Sequence, residues 1–238
     1  FTERGERVER PVTRGITSPQ AFEKGSYRHY MRKEIAEQPE VIGHTLAHYL
    51  DLAAGRTRLP ASATIDFTRI GRLTMSACGT ASYAAQIGRY WFERIARLPV
   101  EIDIASEFRY REPPLEAGGL SLFVSQSGET ADTLAALRYS VSSGQQAASI
   151  VNVATSSIAR ESHYMLPTLA GPEIGVASTK AFTCQLAVLL AVAINAAKQR
   201  GTITDEEEQR LVRAAIADRK STRLNSSHVS ESRMPSSA

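Results

Sequence analysis

The feature that most constrains the fold is an alternation of short apolar runs with helical patterns that begins near Ile70. Strands that alternate with helices of this length are typical of parallel sheets whose two faces are both covered by helices. We therefore predict an α/β fold with a three-layer arrangement, in which helices flank a parallel sheet. The predicted strands lie in "RLTMSACG", "PVEIDIA", "GLSLFVSQSG", "AASIVNVA" and "HYMLPTLAG".

Composition narrows the compartment and the class of partner. The 42% share of hydrophobic residues suffices for a core. Cys78 and Cys184 are too few for a disulfide framework, and no signal-peptide pattern opens the sequence, so we expect a cytoplasmic protein. The apolar run 186–197 is too short to cross a bilayer and contains Asn195, which predicts a buried helix and no membrane partner.

Four segments are predicted along the chain. Residues 1–25 are polar and turn-rich, like a linker or the end of a preceding domain, and residues 26–69 are a helical lead-in that Pro39 should split in two or restart. Residues 70–219 form the α/β domain. Residues 220–238 are Ser-rich without hydrophobic periodicity, so we expect a disordered, artefactual tail after a truncated reading frame.

The tail also distorts the charge of the chain. It holds three basic residues and one acidic residue, and without it 25 basic and 24 acidic residues remain, so the net charge falls from +3 to +1. The chain therefore lacks the excess of basic residues that is typical of nucleic-acid-binding proteins, and no nucleic-acid partner is expected.

Two loops combine glycine with Ser or Thr where a predicted strand ends and a helix begins. They are "ACGTAS" (77–82) and "SQSGET" (125–130). Ligands of parallel α/β sheets bind beyond the carboxyl ends of the strands, and a helix N-terminus with hydroxyls and a close-approaching glycine can hold a phosphate monoester without Lys or Arg. A nucleotide site is less favoured, because the P-loop lysine and the GxGxxG spacing are both lacking.

The alternative for the second loop is ordinary helix capping. Ser127 or Thr130 could accept a backbone N–H at the start of the following helix. One cap does not explain why Ser125, Ser127, Thr130 and Thr133 cluster together.

A third loop, "AGPEIGVASTKAF" (170–182), precedes a long apolar helix. Its glycines suit a turn, and Ser178 is a plausible N-cap. Lys180 is either solvated or in contact with a ligand.

Several long motifs, in order, resemble the first sugar isomerase (SIS) domain of the glutamine–fructose-6-phosphate aminotransferases. They are "YRHYMRKEIAEQP", "ACGTASYAA", "RYWFERIARLPVEIDIASEFRYR", "SQSGETADTLAALR" and "GPEIGVASTKAFTCQL". The similarity runs from about residue 27 to 219. It implies an SIS domain with the flavodoxin-like, nucleotide-binding type of topology, and makes residues 1–25 the link from an amino-terminal glutaminase domain.

The resemblance also implies an activity for the parent protein. This family makes glucosamine 6-phosphate from fructose 6-phosphate and glutamine, in hexosamine biosynthesis, and we expect a homodimer at full length, with no cofactor and no metal ion. Glutamine would bind only to the glutaminase domain. The family's catalytic glutamate, histidine and lysine lie in a second SIS domain and a C-terminal tail, so we expect this fragment to bind sugar phosphate with little or no turnover.

The family's motifs assign the substrate-binding residues. Ser125, Gln126, Ser127 and Thr130 match the phosphate-binding loop. Many members have Ser directly after Cys-Gly-Thr, where this chain has Ala81, so one phosphate hydroxyl is either lost or replaced by Ser82 or a backbone N–H. The remaining matches are Cys78, Gly79 and Thr80 in a sugar-contacting loop and Val176, Ala177 and Ser178 in the loop that closes over the sugar.

Two other functions are open. The first is a regulator that uses an SIS domain to sense sugar phosphates, although residues 1–69 do not look like a DNA-binding helix-turn-helix. The second is a sugar-phosphate isomerase without amino transfer, which the motif "YRHYMRKEIAEQP" disfavours.

Overall fold

The computed structural model describes residue 7 and residues 22–228. Most of the predicted linker 1–25 and the last part of the predicted tail, residues 229–238, lie outside the described residues. The predictions for those segments are therefore not addressed by the structure.

A five-stranded parallel sheet forms the middle layer. It is preceded by a short antiparallel hairpin of β1 (Leu50–Asp51) and β2 (Arg56–Thr57). The sheet has the order β4-β3-β5-β6-β7, and every neighbouring pair is parallel. Its strands are β3 (Leu73–Ala77), β4 (Val100–Ile104), β5 (Leu120–Ser125), β6 (Gln146–Val151) and β7 (Tyr164–Pro167).

Helices cover both faces of the sheet. One hydrophobic cluster joins the sheet to the first, second, sixth and seventh helices, and a second cluster joins its other face to the third, fourth and fifth. These helices are α1 (Tyr30–Tyr49), α2 (Thr80–Arg94), α3 (Ala105–Arg111), α4 (Ala131–Ser142), α5 (Ser157–Glu161), α6 (Lys180–Gln199) and α7 (Asp205–His228).

The central strand β5 shows why the strands read as nearly continuous apolar runs. Leu122 and Val124 belong to the first cluster, whereas Phe123 belongs to the second, and all six residues of the strand are buried. Successive side chains of a strand point to opposite faces, so a strand covered on both sides carries apolar residues that face both ways. The predicted three-layer α/β fold is confirmed.

The strand order has a reversal next to β3. The chain leaves β3 through α2 to reach β4 on one side, and later returns to pair β5 with the other side of β3. This is the 2-1-3-4-5 order of the flavodoxin-like sheets, whose ligands bind outside the carboxyl ends of the strands at the reversal. Ala77 at the end of β3 lies opposite Val124 in β5, so the loops that follow these two strands are neighbours.

Pro39 does not divide the lead-in helix. The prediction of two helices is wrong, because α1 is one helix of 20 residues with Pro39 buried inside it. Proline cannot donate to the carbonyl four residues earlier, which belongs to Ile35. The side chain of Gln38 compensates, since its Nε2 donates to that carbonyl at 3.4 Å.

Helix α7 continues into the segment from Lys220, for which the sequence predicts disorder. Helix α7 runs through Arg219 and ends at His228. Extending an existing helix fixes one residue for each new hydrogen bond, so it is far easier than starting one. The stretch 220–228 also contains no proline or glycine that would end the helix.

Helix α6 is long and apolar enough to cross a membrane by length and composition alone. Most of its apolar window is buried inside the fold, and its buried residues belong chiefly to the first hydrophobic cluster. It is the core helix that the sequence predicts.

The two edges of the sheet carry features that interrupt strand pairing. On β4, Asp103 accepts from Arg111 at 2.7 Å, and Glu101 lies 3.5 Å from Arg72. At the opposite edge, β7 has only four residues and ends in Pro167, which has no N–H to donate.

Candidate functional site

The loop after β5 is held together by its own hydroxyls. Ser125 is buried, and its Oγ accepts from the N–H of Gly128 at 3.0 Å and lies 3.2 Å from the hydroxyl of Thr130. The Oγ of Ser127 accepts from the N–H of Glu129 at 3.2 Å. The donors that this loop can offer to an anion are the hydroxyl proton of Ser127, one hydroxyl proton of the Ser125–Thr130 pair, in which either residue can be the donor, and the first-turn N–H groups of α4.

Gly128 is the residue on which the loop turns. Its φ is +65°, and a Cβ added there would lie 2.0 Å from Oγ and 2.5 Å from Cβ of Ser156, so only glycine fits. The carbonyl of Gly128 accepts from the N–H of Ile158 at 3.0 Å, and the carbonyl of Gln126 accepts from the N–H of Asn152 at 3.1 Å. The loop therefore rests on the residue that follows β6 and on the first turn of α5.

Capping does not account for the hydroxyls of this loop. Thr130 occupies the N-cap position of α4, but its side chain makes no capping bond. Ser127 accepts an N–H within the turn, before the helix begins. Thr133 behaves differently from the other three, because it is fully buried inside α4 and no described residue pairs with its Oγ. The predicted cluster of four hydroxyls is therefore three in the loop and one in the core.

The loop after β3 opens α2 in a similar way. Gly79 is the N-cap residue, with a φ of +58°. Its carbonyl accepts from the hydroxyl of Ser82 at 2.7 Å, so the hydroxyl of the serine that follows Ala81 is engaged within the helix start. Thr80 is exposed, and Cys78 is half-buried against the second hydrophobic cluster.

The acidic side chains near the loop after β5 are each bonded to a partner outside that loop. Glu129 accepts from the N–H of Ser157 at 2.7 Å, and this bond lowers the pKa of its carboxyl. Asp132, in the first turn of α4, accepts from Arg109 at 2.9 Å. The guanidinium offsets a carboxylate that would otherwise repel an anion at this helix start.

The third loop is organised by Glu173. Its Oε1 accepts from the N–H groups of Thr179 at 2.9 Å and Ala181 at 3.2 Å, while Ser178 donates to its Oε2 at 3.2 Å. The N-cap position of α6 belongs to Thr179, so the expectation that Ser178 caps the helix is wrong. A carboxylate supplies the cap instead, since it can accept several N–H groups at a helix start.

Lys180 is neither solvated nor directed at an open loop. It is 3% exposed, and its Nζ donates to Oε2 of Glu37 in α1 at 2.7 Å. The beginning of the third loop is tied to the loop after β6, because Asn152 donates to the carbonyl of Gly171 at 2.7 Å. Among the described residues, no hydrogen bond or ion pair joins the segment 176–178 directly to the first two loops.

A large cavity lies elsewhere, between α1, α2, α6 and α7. It has a volume of about 820 Å³ and a mainly apolar lining that includes Trp91 and Leu190. None of the candidate site residues lines it, although Arg94, Arg97 and Arg210 do. An anion would find positive charge there, so binding experiments must distinguish this groove from the loops.

Comparison with known proteins defines the class to which this fold and these loops belong. Residues 66–195 match the family model described as "SIS domain". The match covers more than half of the chain, and the chain belongs to the SIS domain family.

The relatives are more specific. Glutamine–fructose-6-phosphate aminotransferase [isomerizing] of Bradyrhizobium diazoefficiens is 58% identical over 91% of this chain and 36% of its own length. A solved structure described as the C-terminal domain of glucosamine-fructose-6-phosphate aminotransferase from Francisella tularensis is 40% identical, with a TM-score of 0.78, over 83% of this chain and 55% of that one. Glucosamine-6-phosphate deaminase from Thermotoga maritima shares the fold, with a TM-score of 0.60 at 23% identity over 79% of this chain and 54% of that one.

These comparisons confirm the resemblance inferred from the motifs, and they do not favour the regulator. The chain spans about a third of the length of the curated aminotransferases it matches. The activity of those whole proteins can therefore only be proposed for this chain.

Proposed function

We propose that this chain is a fragment of the isomerase half of an enzyme that makes glucosamine 6-phosphate from fructose 6-phosphate and glutamine, and that it supplies the sugar-phosphate site. One observation carries the proposal. Two loops built from glycine and hydroxyl residues open helices α2 and α4 side by side, at the reversal of strand order, in a chain similar to these aminotransferases.

The phosphate is held mainly by neutral donors. Hydroxyls of the loop after β5 and the N–H groups at the start of α4 face the anion, and the positive end of the helix dipole favours its charge. Gly128 lets the loop turn close to the ligand. The phosphate-binding residues are Ser125, Gln126, Ser127 and Thr130; the sugar-contacting residues are Cys78, Gly79 and Thr80; and Val176, Ala177 and Ser178 close over the sugar.

Binding and turnover are separate properties of this chain. The family resemblance assigns the isomerase acid–base groups and the glutaminase nucleophile to segments beyond these residues, so the fragment binds sugar phosphate without appreciable turnover. Glutamine binds to a separate glutaminase domain of the longer protein, which works as a homodimer in the cytoplasm.

Calorimetry with fructose 6-phosphate tests the site. Ser127→Ala removes one hydroxyl donor to a charged group, which costs about 1.5–3 kcal/mol of binding free energy, or roughly 10- to 150-fold in affinity. Ser142→Ala is the matched control, because in the part of the chain that the structure describes the hydroxyl of this exposed serine, at the other end of α4, bonds only to a backbone carbonyl of its own helix. Its affinity should equal that of the unmodified chain.

Three results would contradict parts of the proposal. Unchanged affinity in Ser127→Ala would remove this residue from the site. Affinity that survives Ser127→Ala but falls in Arg94→Ala would move the ligand to the apolar groove. Formation of glucosamine 6-phosphate by the isolated chain would contradict the division between binding and turnover.

A further inference from the structure

The segment 174–178, which carries the residues proposed to close over the sugar, is anchored on both sides by carboxylates. On its C-terminal side, Glu173 binds Ser178 and the N–H groups at the start of α6. On its N-terminal side, Glu34 of α1 accepts from the N–H of Ile174 at 2.6 Å and from that of Gly175 at 3.0 Å.

Glu34 is an unusual residue to find in the interior. It is 2% exposed, one oxygen takes both N–H bonds, and no described residue pairs with the other oxygen. A Cβ on Gly175 would lie 2.5 Å from that second oxygen, so the glycine allows the carboxylate to approach the backbone closely. Burying a carboxylate costs folding free energy unless the carboxylate is well hydrogen-bonded. The packing of α1 alone therefore does not explain why a glutamate occupies this position.

A second contact fixes the same helix to the far end of the segment. Glu37, one turn after Glu34, binds the buried Nζ of Lys180 at 2.7 Å. Helix α1 thus touches the segment just before its tip through Glu34 and just after it through Glu37. Both glutamates belong to the motif "YRHYMRKEIAEQP", which contributes no residue to either of the glycine loops.

The tip between these anchors is held but uncovered. Val176 is fully exposed, and Ala177 is exposed beside it, although the backbone on either side is bonded. An apolar tip that is fixed in place without packing on anything is suited to contacting a ligand rather than to stabilising the fold.

We infer that Glu34 is a positioning residue, which sets the conformation of the tip 176–178 for contact with the sugar part of the ligand. This inference rests on the proposed function. Glu34 does not touch the ligand; it acts through the backbone of Ile174 and Gly175. The phosphate loop after β5 does not depend on it, so the two parts of the ligand should respond differently to its loss.

The experiment compares fructose 6-phosphate with inorganic phosphate by calorimetry on the whole chain. In Glu34→Ala, the affinity for fructose 6-phosphate should fall about tenfold or more, because two bonds to a charged acceptor are lost, while the affinity for inorganic phosphate stays at the wild-type value. Glu34→Gln should restore most of the sugar affinity, since its amide oxygen can accept the same two N–H groups.

Tyr49→Phe controls for a general loosening of α1. The buried hydroxyl of Tyr49 donates to the carbonyl of Pro167 at 2.8 Å, so its loss lowers the Tm without touching the segment 174–178. Its ratio of sugar to phosphate affinity should be that of the wild type.

The outcomes separate the two proposals. Equal losses for both ligands in Glu34→Ala, or no loss for fructose 6-phosphate, would overturn the positioning role while leaving the proposed site in place. A wild-type chain that binds neither ligand would overturn the proposed site and the positioning role with it.

Discussion

Replacing Gly128 with alanine tests the geometry of the loop after β5 most directly. Alanine at a φ of +65° costs about 1–2 kcal/mol of folding free energy. The new methyl group would also meet Ser156 at 2.0 Å from Oγ and 2.5 Å from Cβ, and overpacking of this kind costs about 1–3 kcal/mol. The sum is about 2–5 kcal/mol. For a chain of this size it corresponds to a fall in Tm of about 4–20 °C, measured by thermal unfolding.

Two further variants divide this loss into its causes. Gly118→Ala has the same kind of backbone, with a φ of +78° and open space around the added methyl, so it should show only the backbone cost. Adding Ser156→Gly to Gly128→Ala removes the clashing atoms and should recover about 1–3 kcal/mol, since a glycine N-cap costs only a few tenths. The reasoning fails if Gly128→Ala is no worse than Gly118→Ala, or if Ser156→Gly gives no recovery.

Three other outcomes are expected. The pKa of Glu129 is lowered, so its bond to Ser157 stabilises the fold above the ordinary carboxyl pKa of 4.5 and is lost as the pH falls through the lower folded value. The difference in Tm between wild type and Glu129→Gln should therefore disappear in acid. A difference that does not depend on pH would contradict this. Burial raises the pKa of Cys184 to about 11, so a thiol reagent at pH 8 should modify half-buried Cys78 first. Fructose 6-phosphate should slow the modification of Cys78. Equal rates for the two thiols, or no protection by the sugar phosphate, would contradict this prediction. Tyr49→Phe should lower the free energy of unfolding by about 1–2 kcal/mol in denaturant titrations, and an unchanged midpoint would show that its buried bond is not stabilising.

The sheet could be predicted from the sequence because its signals are local. Each strand is a short apolar run, and Gly79, Gly128 and Gly144 mark turns or helix ends where the chain takes a positive φ. The adjacency of the two glycine loops needed more than local signals. It follows from the return of β5 to the free side of β3, which no single segment encodes.

Helix α3 could not be predicted from the sequence, because nothing marks its beginning. It follows β4 without a break, its N-cap residue is Ile104, and no side chain caps it. Its two buried residues, Ala105 and Phe108, have helical spacing, but seven residues are too few for a clear periodicity. The hairpin of β1 and β2 is shorter still, and part of its support is distant, since Glu208 of α7 accepts from the N–H of Thr57 at 2.8 Å.

The third loop shows what residue types alone do not decide. Ser178 has the usual chemistry of an N-cap, yet Glu173 performs that task from five residues earlier in the chain. From the sequence, Lys180 is either solvated or in contact with a ligand, but in the structure it is buried, and Glu37, far away along the chain, supplies its counter-charge. The roles of Glu34 and Glu37 could have been suspected only from the motif around them, because acids on a helix face are ordinarily solvated.

The two borders of the sheet bear on how the protein behaves at high concentration. An incoming strand at β4 would have to disrupt the ion pairs of Asp103 and Glu101, and one at β7 would meet a proline after four residues. Open borders are where chains of different molecules join into aggregates, and charges, proline and short length all discourage that joining. Removing this protection, for instance by neutralising Asp103 and Arg111 together, would be expected to cost solubility before it costs folding.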